Sequence, residues 1–376
     1  MRRTLVVTND FPPRPGGIQA YLHALLSRQP SGSVVVYASQ FRGWQKFDAE
    51  QPFPVVRHPH GLLLPTPGAL RRAREVARAE GCTTALYGAM APLGLLSPGL
   101  RGEGIERFVA MTHGHEAAWA TLPGSRHVLR LIADQMDAVT YVGEYTRTRM
   151  AAAFSPAAAA RMTWLPPGVD DSVFVPGAGG AAVRARLRVG QRPVVLCVSR
   201  LVPRKGQDVL IRAWPAILRA VPDAVLLLVG GGPYRRRLER LVDTSGVRDS
   251  VVLTGSVPWP DLPAYYDAGN VFAMPCRTRA GGLDVEGLGI VYLEASATGL
   301  PVIAGNSGGA PDAVLEGETG YVVDGRSVNQ VAERIVPLLL DPELTRAMGK
   351  RGRQWVGEAW RWDDIAQRLT TLLAER

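Results

Sequence analysis

Residues 194–220 read VVLCVSRLVPRKGQDVLIRAWPAILRA. The run Val194–Ser199 is apolar, β-branched and short, which is the character of a buried strand. Ser199–Gly206 is a basic turn, and Gln207–Ala220 carries the apolar spacing of a helix. A strand that feeds a helix through a tight turn is the repeating unit of a parallel α/β sheet.

The same alternation runs outward in both directions. Strand-like runs occur at Thr4–Thr8, Val34–Ala38, Val55–Arg57, Ala85–Gly88, Phe108–Thr112 and Ala138–Val142. After residue 194 they recur at Ala224–Val229, Val251–Thr254, Val271–Met274, Pro301–Ala304 and Gly320–Val323. Helical patterns fall between them at Gly17–Ser27, Gly68–Glu80, Pro233–Ser245, Gly289–Thr298 and Val328–Leu340. The fold class is therefore α/β, with parallel sheets covered on both faces. Trp164–Asp170, followed by the Gly/Ala-rich stretch Pro176–Ala182, punctuates the chain and marks a joint. The reading is two doubly wound, Rossmann-like domains facing a cleft, residues 1–167 and 168–357. A tail, 358–376, carries Trp360 and Trp362, which can pack on either domain, including back on the first.

Composition narrows the function. The chain has 376 residues, 46% of them apolar, ample for two cores. No apolar run approaches the ~18 residues of a membrane helix, and the first residues enter a strand rather than a signal peptide. A cytoplasmic location is expected. Cys82, Cys197 and Cys276 are isolated and read as buried thiols in a reducing compartment. Net charge is +9, and residues 1–167 carry 18 Lys+Arg against 11 Asp+Glu. That surplus points to an anionic substrate or surface. Nucleic acid is not expected, because no aromatic platform accompanies the charge. Gly68–Arg78, with Arg71, Arg72 and Arg74, reads either as a solvated helix face or as a dock for anionic lipid.

Open α/β sheets bind ligands at the C-terminal strand ends, so chemistry is sought there. Arg200 and Lys205 stand at one such end, a fork and a point charge suited to a diphosphate. A solvated basic loop is the competing reading. Lys205 is one of only three lysines among 43 basic residues. Gly281–Glu294 brings Glu286 and Glu294 together across a glycine-rich turn and a helix start at Gly289, Ile290 and Val291. Unpaired N–H groups at a helix start hold phosphate, and a carboxylate on each side accepts from sugar hydroxyls. A phosphate flanked by two sugars describes a nucleotide-sugar donor. Val229–Pro233 and Thr254–Val257 end neighbouring strands; backbone atoms around Val257 are candidates for contact with the base. In the first half, Asn9–Ile18 links strand to helix, with Asp10, Gly16 and Gly17 near a ligand or merely turning the chain. Thr112–Glu116 ends another strand. Its His113-x-His115-Glu116 spacing lacks a clear distant third ligand, so no metal is expected. His113 is the first candidate for a sugar hydroxyl, with His115 in reserve.

Taken together these segments resemble the retaining glycosyltransferases of the GT-B fold, family 4, over nearly the whole chain. Asn9–Gln19, Thr112–Glu116, Leu122–Arg126, Ser199–Asp208 and Gly281–Ala295 resemble more closely the GDP-mannose-dependent α-1,6-mannosyltransferases that act on phosphatidylinositol monomannoside. The resemblance implies an acceptor-binding first domain and a donor-binding second. Arg200 and Lys205 would hold the diphosphate of GDP-mannose, and Glu286 the mannose. Backbone N–H groups of Gly289, Ile290 and Val291 would hold phosphate or sugar, and Glu294 the ribose. Gly17 would lie by the donor phosphate, and Asp10, Gly16 and His115 by the acceptor. It implies no metal or other cofactor, an anionic glycolipid acceptor, and peripheral contact with the inner face of the plasma membrane. Other donors, UDP-glucose or UDP-N-acetylglucosamine, are the alternative, and a sugar-nucleotide epimerase or hydrolase is the alternative of another class. A dinucleotide dehydrogenase lacks its G-x-G-x-x-G after the first strand.

Overall fold

The computed structural model describes residues 3–114, 116, 119–120 and 123–375. The chain forms two compact units. Residues 1–168 and 362–376 make the first, and Val169–Arg361 the second.

In the first unit seven strands pair in parallel: β1 Arg3–Thr8, β2 Val34–Ser39, β3 Val55–His58, β4 Cys82–Tyr87, β5 Arg107–Thr112, β6 Ala138–Tyr141 and β7 Met162–Trp164. Their order is β3-β2-β1-β4-β5-β6-β7. Alternate side chains feed two cores. Leu5 and Val7 join Ala69, Ala73 and Val76 on one face, and Val6 joins Leu22, Leu25, Ile365 and Leu369 on the other. Burial on both faces is why these strands read as unbroken apolar runs.

The second unit has β8 Val194–Val198, β9 Val225–Val229, β10 Val251–Gly255, β11 Val271–Met274, β12 Val302–Gly305 and β13 Gly320–Val323. All neighbours are parallel, in the order β10-β9-β8-β11-β12-β13. Both sheets are thus doubly wound. The order reverses between β1 and β4 in one and between β8 and β11 in the other. At such a reversal adjacent connections leave on opposite faces and open a crevice at the strand ends.

Several details differ from the sequence reading. β7 has only three residues, none fully buried, so it leaves no apolar run to detect. The stretch 176–182, read as part of the joint, lies inside the second unit. The Asp267 carboxylate accepts from the backbone N–H groups of Gly177, Gly179 and Gly180, and the helix Gly180–Arg186 starts there. The second unit ends at Arg361 rather than residue 357, because the helix Pro342–Ala359 runs through the expected boundary. Trp360 is buried against Trp355, and its carbonyl accepts from Val169 N–H. The helix Trp362–Ala374 belongs to the first unit, where Trp362 meets Tyr21 and Arg107 donates to the Leu372 carbonyl. The tail is therefore split between the units by its two tryptophans.

Among the described residues no helix is long and apolar enough to cross a membrane.

Candidate active site

The second unit gathers the predicted donor residues at the end of β8 and the connection that follows β11. Strand β8 ends at Val198, and the backbone enters a short 3-10 turn, Pro203–Lys205, before the helix Gln207–Ala220. The turn is tied down. Gln207 Nε2 donates to Ser199 Oγ and to the Arg200 carbonyl. The buried Asp208 carboxylate pairs with Arg277 at 2.9 Å, and Arg277 N–H donates to the Arg204 carbonyl. The basic turn and the loop after β11 are thereby clamped together.

Across that clamp Lys205 Nζ lies 2.7 Å from Glu286 Oε2, and both residues are buried. Arg204 adds a second cation, 3.6 Å from Glu286 and 3.3 Å from Asp284. Arg279 closes on Asp284 from the other side at 3.6 Å. Arg200 is different. It is exposed, and among the described residues its guanidinium has no hydrogen-bond or ion-pair partner, so it remains available to an anion. Sequence reasoning missed Arg204 and Asp284. Their only signal was adjacency to Lys205 and Glu286, and spacing does not show that they meet.

Gly289 caps the helix Ile290–Ala297 at φ 85°, with no side chain bonding into the first turn. A Cβ there would stand 2.6 Å from the Tyr292 ring, so glycine is required. Ile290 and Val291 are only partly covered, and the first-turn N–H groups of a helix carry the positive end of its dipole. Glu294, one turn on, is buried, and Tyr266 Oη donates to its Oε2 at 2.6 Å. Burial pushes the Glu294 carboxyl up to about 7, and the tyrosine bond draws it partly back. Val257 is itself half-buried in the otherwise exposed loop beyond β10, the edge strand. Cys197 and Cys276 are buried free thiols whose surroundings push them up to about 12 and about 11, so both stay protonated.

The first unit places its residues at the β1/β4 reversal and at the end of β5. Asp10 accepts from Gln19 Nε2 at 2.7 Å, while Asn9 exchanges two hydrogen bonds with the Leu63 backbone. Arg57, paired with Asp48 at 2.6 Å, donates to the Pro12 carbonyl and stiffens the proline-rich loop. Gly16 precedes the helix that Gly17 begins. A Cβ on Gly17 would meet no protein atom within 4 Å, so packing does not demand glycine there; what it keeps clear is space outside the protein. His113 follows β5 and is buried edge-on to Tyr21. Its Nε2 lies 2.5 Å from the Gly88 carbonyl, which only accepts, so Nε2 carries a proton. His113 N–H donates to Glu116. His115 and Leu122 lie outside the described residues. Among the described residues no three His, Cys, Asp or Glu side chains are placed to hold a metal ion.

The helix Pro67–Ala79 turns its apolar stripe inward. Its apolar face, Ala69, Ala73, Val76 and Ala77, is spent on the core of the first unit. Arg74 donates twice to the Gly99 carbonyl, and Arg78 pairs with Glu103. Arg71 and Arg72 remain on the exposed face. Contact with a membrane through the exposed face that carries Arg71 and Arg72 would be electrostatic.

Comparison with known proteins agrees with this arrangement. Residues 182–355 match the model of the glycosyl transferases group 1 family. The chain is 51% identical to the GDP-mannose-dependent alpha-(1-6)-phosphatidylinositol monomannoside mannosyltransferase of Mycobacterium tuberculosis, over 99% of this chain and 98% of that protein. It is 44% identical to the GDP-mannose-dependent monoacylated alpha-(1-6)-phosphatidylinositol monomannoside mannosyltransferase of Corynebacterium glutamicum, with the same coverage. Among solved structures, Anabaena Alr3699/HepE in complex with UDP superposes with a TM-score of 0.82 at 19% identity, over 99% of both chains. Sucrose-phosphate synthase from Thermosynechococcus elongatus does so at 0.76 and 24%, over 99% of this chain and 98% of that one. These likenesses establish the fold as that of GT-B glycosyltransferases. With near-complete coverage at half identity, the chain belongs to the family of GDP-mannose-dependent α-(1-6)-phosphatidylinositol monomannoside mannosyltransferases, within the glycosyl transferases group 1.

Proposed function

We propose that the protein transfers mannose from GDP-mannose to phosphatidylinositol monomannoside, forming an α-1,6 linkage with retention and without a metal ion. One observation carries the reading: Arg200, Lys205 and the open helix start at Gly289–Val291 stand with the buried Glu286 at one sheet reversal. In the step proposed, the bond from mannose C1 to the diphosphate oxygen breaks and its electron pair stays with the diphosphate. Arg200, Lys205 and the first-turn N–H groups meet that growing charge. The acceptor oxygen bonds to C1 on the face the diphosphate leaves, and its proton passes to a departing phosphate oxygen. Glu286 holds the mannose hydroxyls, Glu294 the ribose, and atoms around Val257 the base. On the first unit, His113 orients a sugar hydroxyl, Gly17 leaves room for phosphate, and Asp10, Gly16 and His115 serve the acceptor.

A donor-by-acceptor screen with purified protein tests the assignment. GDP-mannose with phosphatidylinositol monomannoside should give the dimannoside, and neither substrate alone should give product. Preference for UDP-glucose or UDP-N-acetylglucosamine would overturn the donor, and epimer or free sugar from donor alone would overturn the reaction. Activity should survive a chelator; loss restored by magnesium or manganese would defeat the metal-free step.

The glycolipid acceptor and the basic first half motivate a peripheral position on the cytoplasmic face of the plasma membrane. The double change Arg71→Gln/Arg72→Gln should weaken sedimentation with anionic liposomes roughly thirty-fold, at about 1 kcal/mol per arginine. Unchanged binding would make that surface a solvated one.

A further inference from the structure

Glu294 is held by a partner that no sequence pattern announces. Tyr266 is fully buried on the helix Leu262–Asp267. Its ring stacks on Phe272 at 5.8 Å and takes the edge of Phe174 at 5.4 Å. So clamped, the phenol has little freedom, and its hydroxyl meets Glu294 Oε2 at 2.6 Å. Burial raises Tyr266 well above the usual phenol range, so it is the donor at every working pH. With Oε2 taken, Oε1 is the oxygen left to receive ribose hydroxyls.

We propose that Tyr266 is a positioning residue for the nucleotide: its hydrogen bond fixes the Glu294 rotamer, so that the ribose finds a carboxylate oxygen already aimed. The proposal rests on the reading of Glu294 as the ribose contact. The influences on the Glu294 carboxyl are its burial and the Tyr266 hydroxyl. The Cys197 thiol acts on Tyr266 and stays protonated. The Arg353 guanidinium is spent on the Ala297 and Phe174 carbonyls.

The sign follows from the chemistry. Ribose hydroxyls donate to the ionised carboxylate, so binding strengthens as pH rises through the Glu294 titration and weakens below it. With that titration near 7, GDP should bind about tenfold more weakly at pH 6 than at pH 8. GDP's own phosphate titration is removed by dividing by the same ratio in Glu294→Gln. Tyr266→Phe deletes one oxygen from an unchanged ring. Because the phenol lowers the carboxyl pKa, its loss should move the midpoint to higher pH and weaken GDP at pH 7 by threefold or more. Pyrophosphate, which has no ribose, should bind Tyr266→Phe as it binds the wild type.

Calorimetric titration of GDP and pyrophosphate from pH 6 to 9 on the three proteins decides the matter. If Glu294→Gln matches the wild type in affinity and pH profile, the ribose assignment falls and the proposal with it. If Glu294→Gln is impaired but Tyr266→Phe keeps the wild-type midpoint, the proposal alone is overturned. Equal loss of pyrophosphate and GDP by Tyr266→Phe would show general damage to the unit, and also overturns it.

Discussion

Lys205→Ala is expected to lower turnover by two orders of magnitude or more. Two effects combine. The first is loss of a preorganised cation where charge develops on the leaving diphosphate, which costs roughly 3–4 kcal/mol in comparable sites. At about 1.4 kcal/mol per tenfold, that alone is more than a hundredfold in rate. The second is what the substitution leaves behind. Glu286 is buried and has Lys205 at 2.7 Å but Arg204 only at 3.6 Å. Without the lysine, Glu286 must turn toward Arg204 or recruit a proton, and either response moves the oxygen assigned to the mannose. Steady-state rates with GDP-mannose and phosphatidylinositol monomannoside, on protein whose circular dichroism is unchanged, measure the effect. A near-normal rate would remove Lys205 from the mechanism. Lys205→Arg provides a graded control, since it keeps the charge but loses the compact point geometry.

Gly308→Ala is expected to be comparably damaging from outside the set of ligand-contacting residues. Gly308 has φ +57°, and a Cβ built on it would lie 1.9 Å from the Glu286 carbonyl oxygen. That atom is backbone, so no rotamer change relieves the collision. The neighbouring Gly309 N–H also donates to the Glu286 carbonyl at 3.0 Å, so the turn and the Glu286 segment move together. A displacement of about 1 Å at a reacting group is enough for a hundredfold loss of rate. The left-handed backbone adds roughly 1–2 kcal/mol of strain for a residue with a Cβ. At the scaling for domains of this size, the melting temperature should fall by about 2–4 °C for each kcal/mol. Gly317→Ala separates the two contributions. Gly317 has φ +77° but nothing within 4 Å of its Cβ position, so it should lower stability and leave turnover intact. Equal activity in the two variants would show that the Glu286 carbonyl has room to retreat.

Much of the arrangement was legible before any coordinates, for reasons that are local. Strands buried on both faces must be apolar throughout, so Val194–Val198 and Val225–Val229 announce themselves. A residue just past such a strand must stand at the sheet's C-terminal edge, which places Arg200 without further information. The helix start at Gly289 is legible because a backbone conformation that favours glycine leaves a glycine in the sequence. The basic helix Pro67–Ala79 was only half legible. Its amphipathic pattern is the same whether the apolar stripe meets lipid or protein, and only packing against Leu5, Val7 and their neighbours settles which.

What the sequence determined by itself is the alternation of strand and helix, the two-unit plan, and the sheet edge at which each charged residue emerges. All of these follow from backbone periodicity over a few residues. Only the tertiary structure decided which charges meet. Lys205 and Glu286 pair because β11 lies beside β8 in the sheet, although β9 and β10 intervene in the chain. Asp208 finds Arg277 for the same reason, and Tyr266 reaches Glu294 from a helix on a different connection. Strand order is settled by how whole layers bury their apolar faces against one another, a property of the assembled sheet that no window of residues contains.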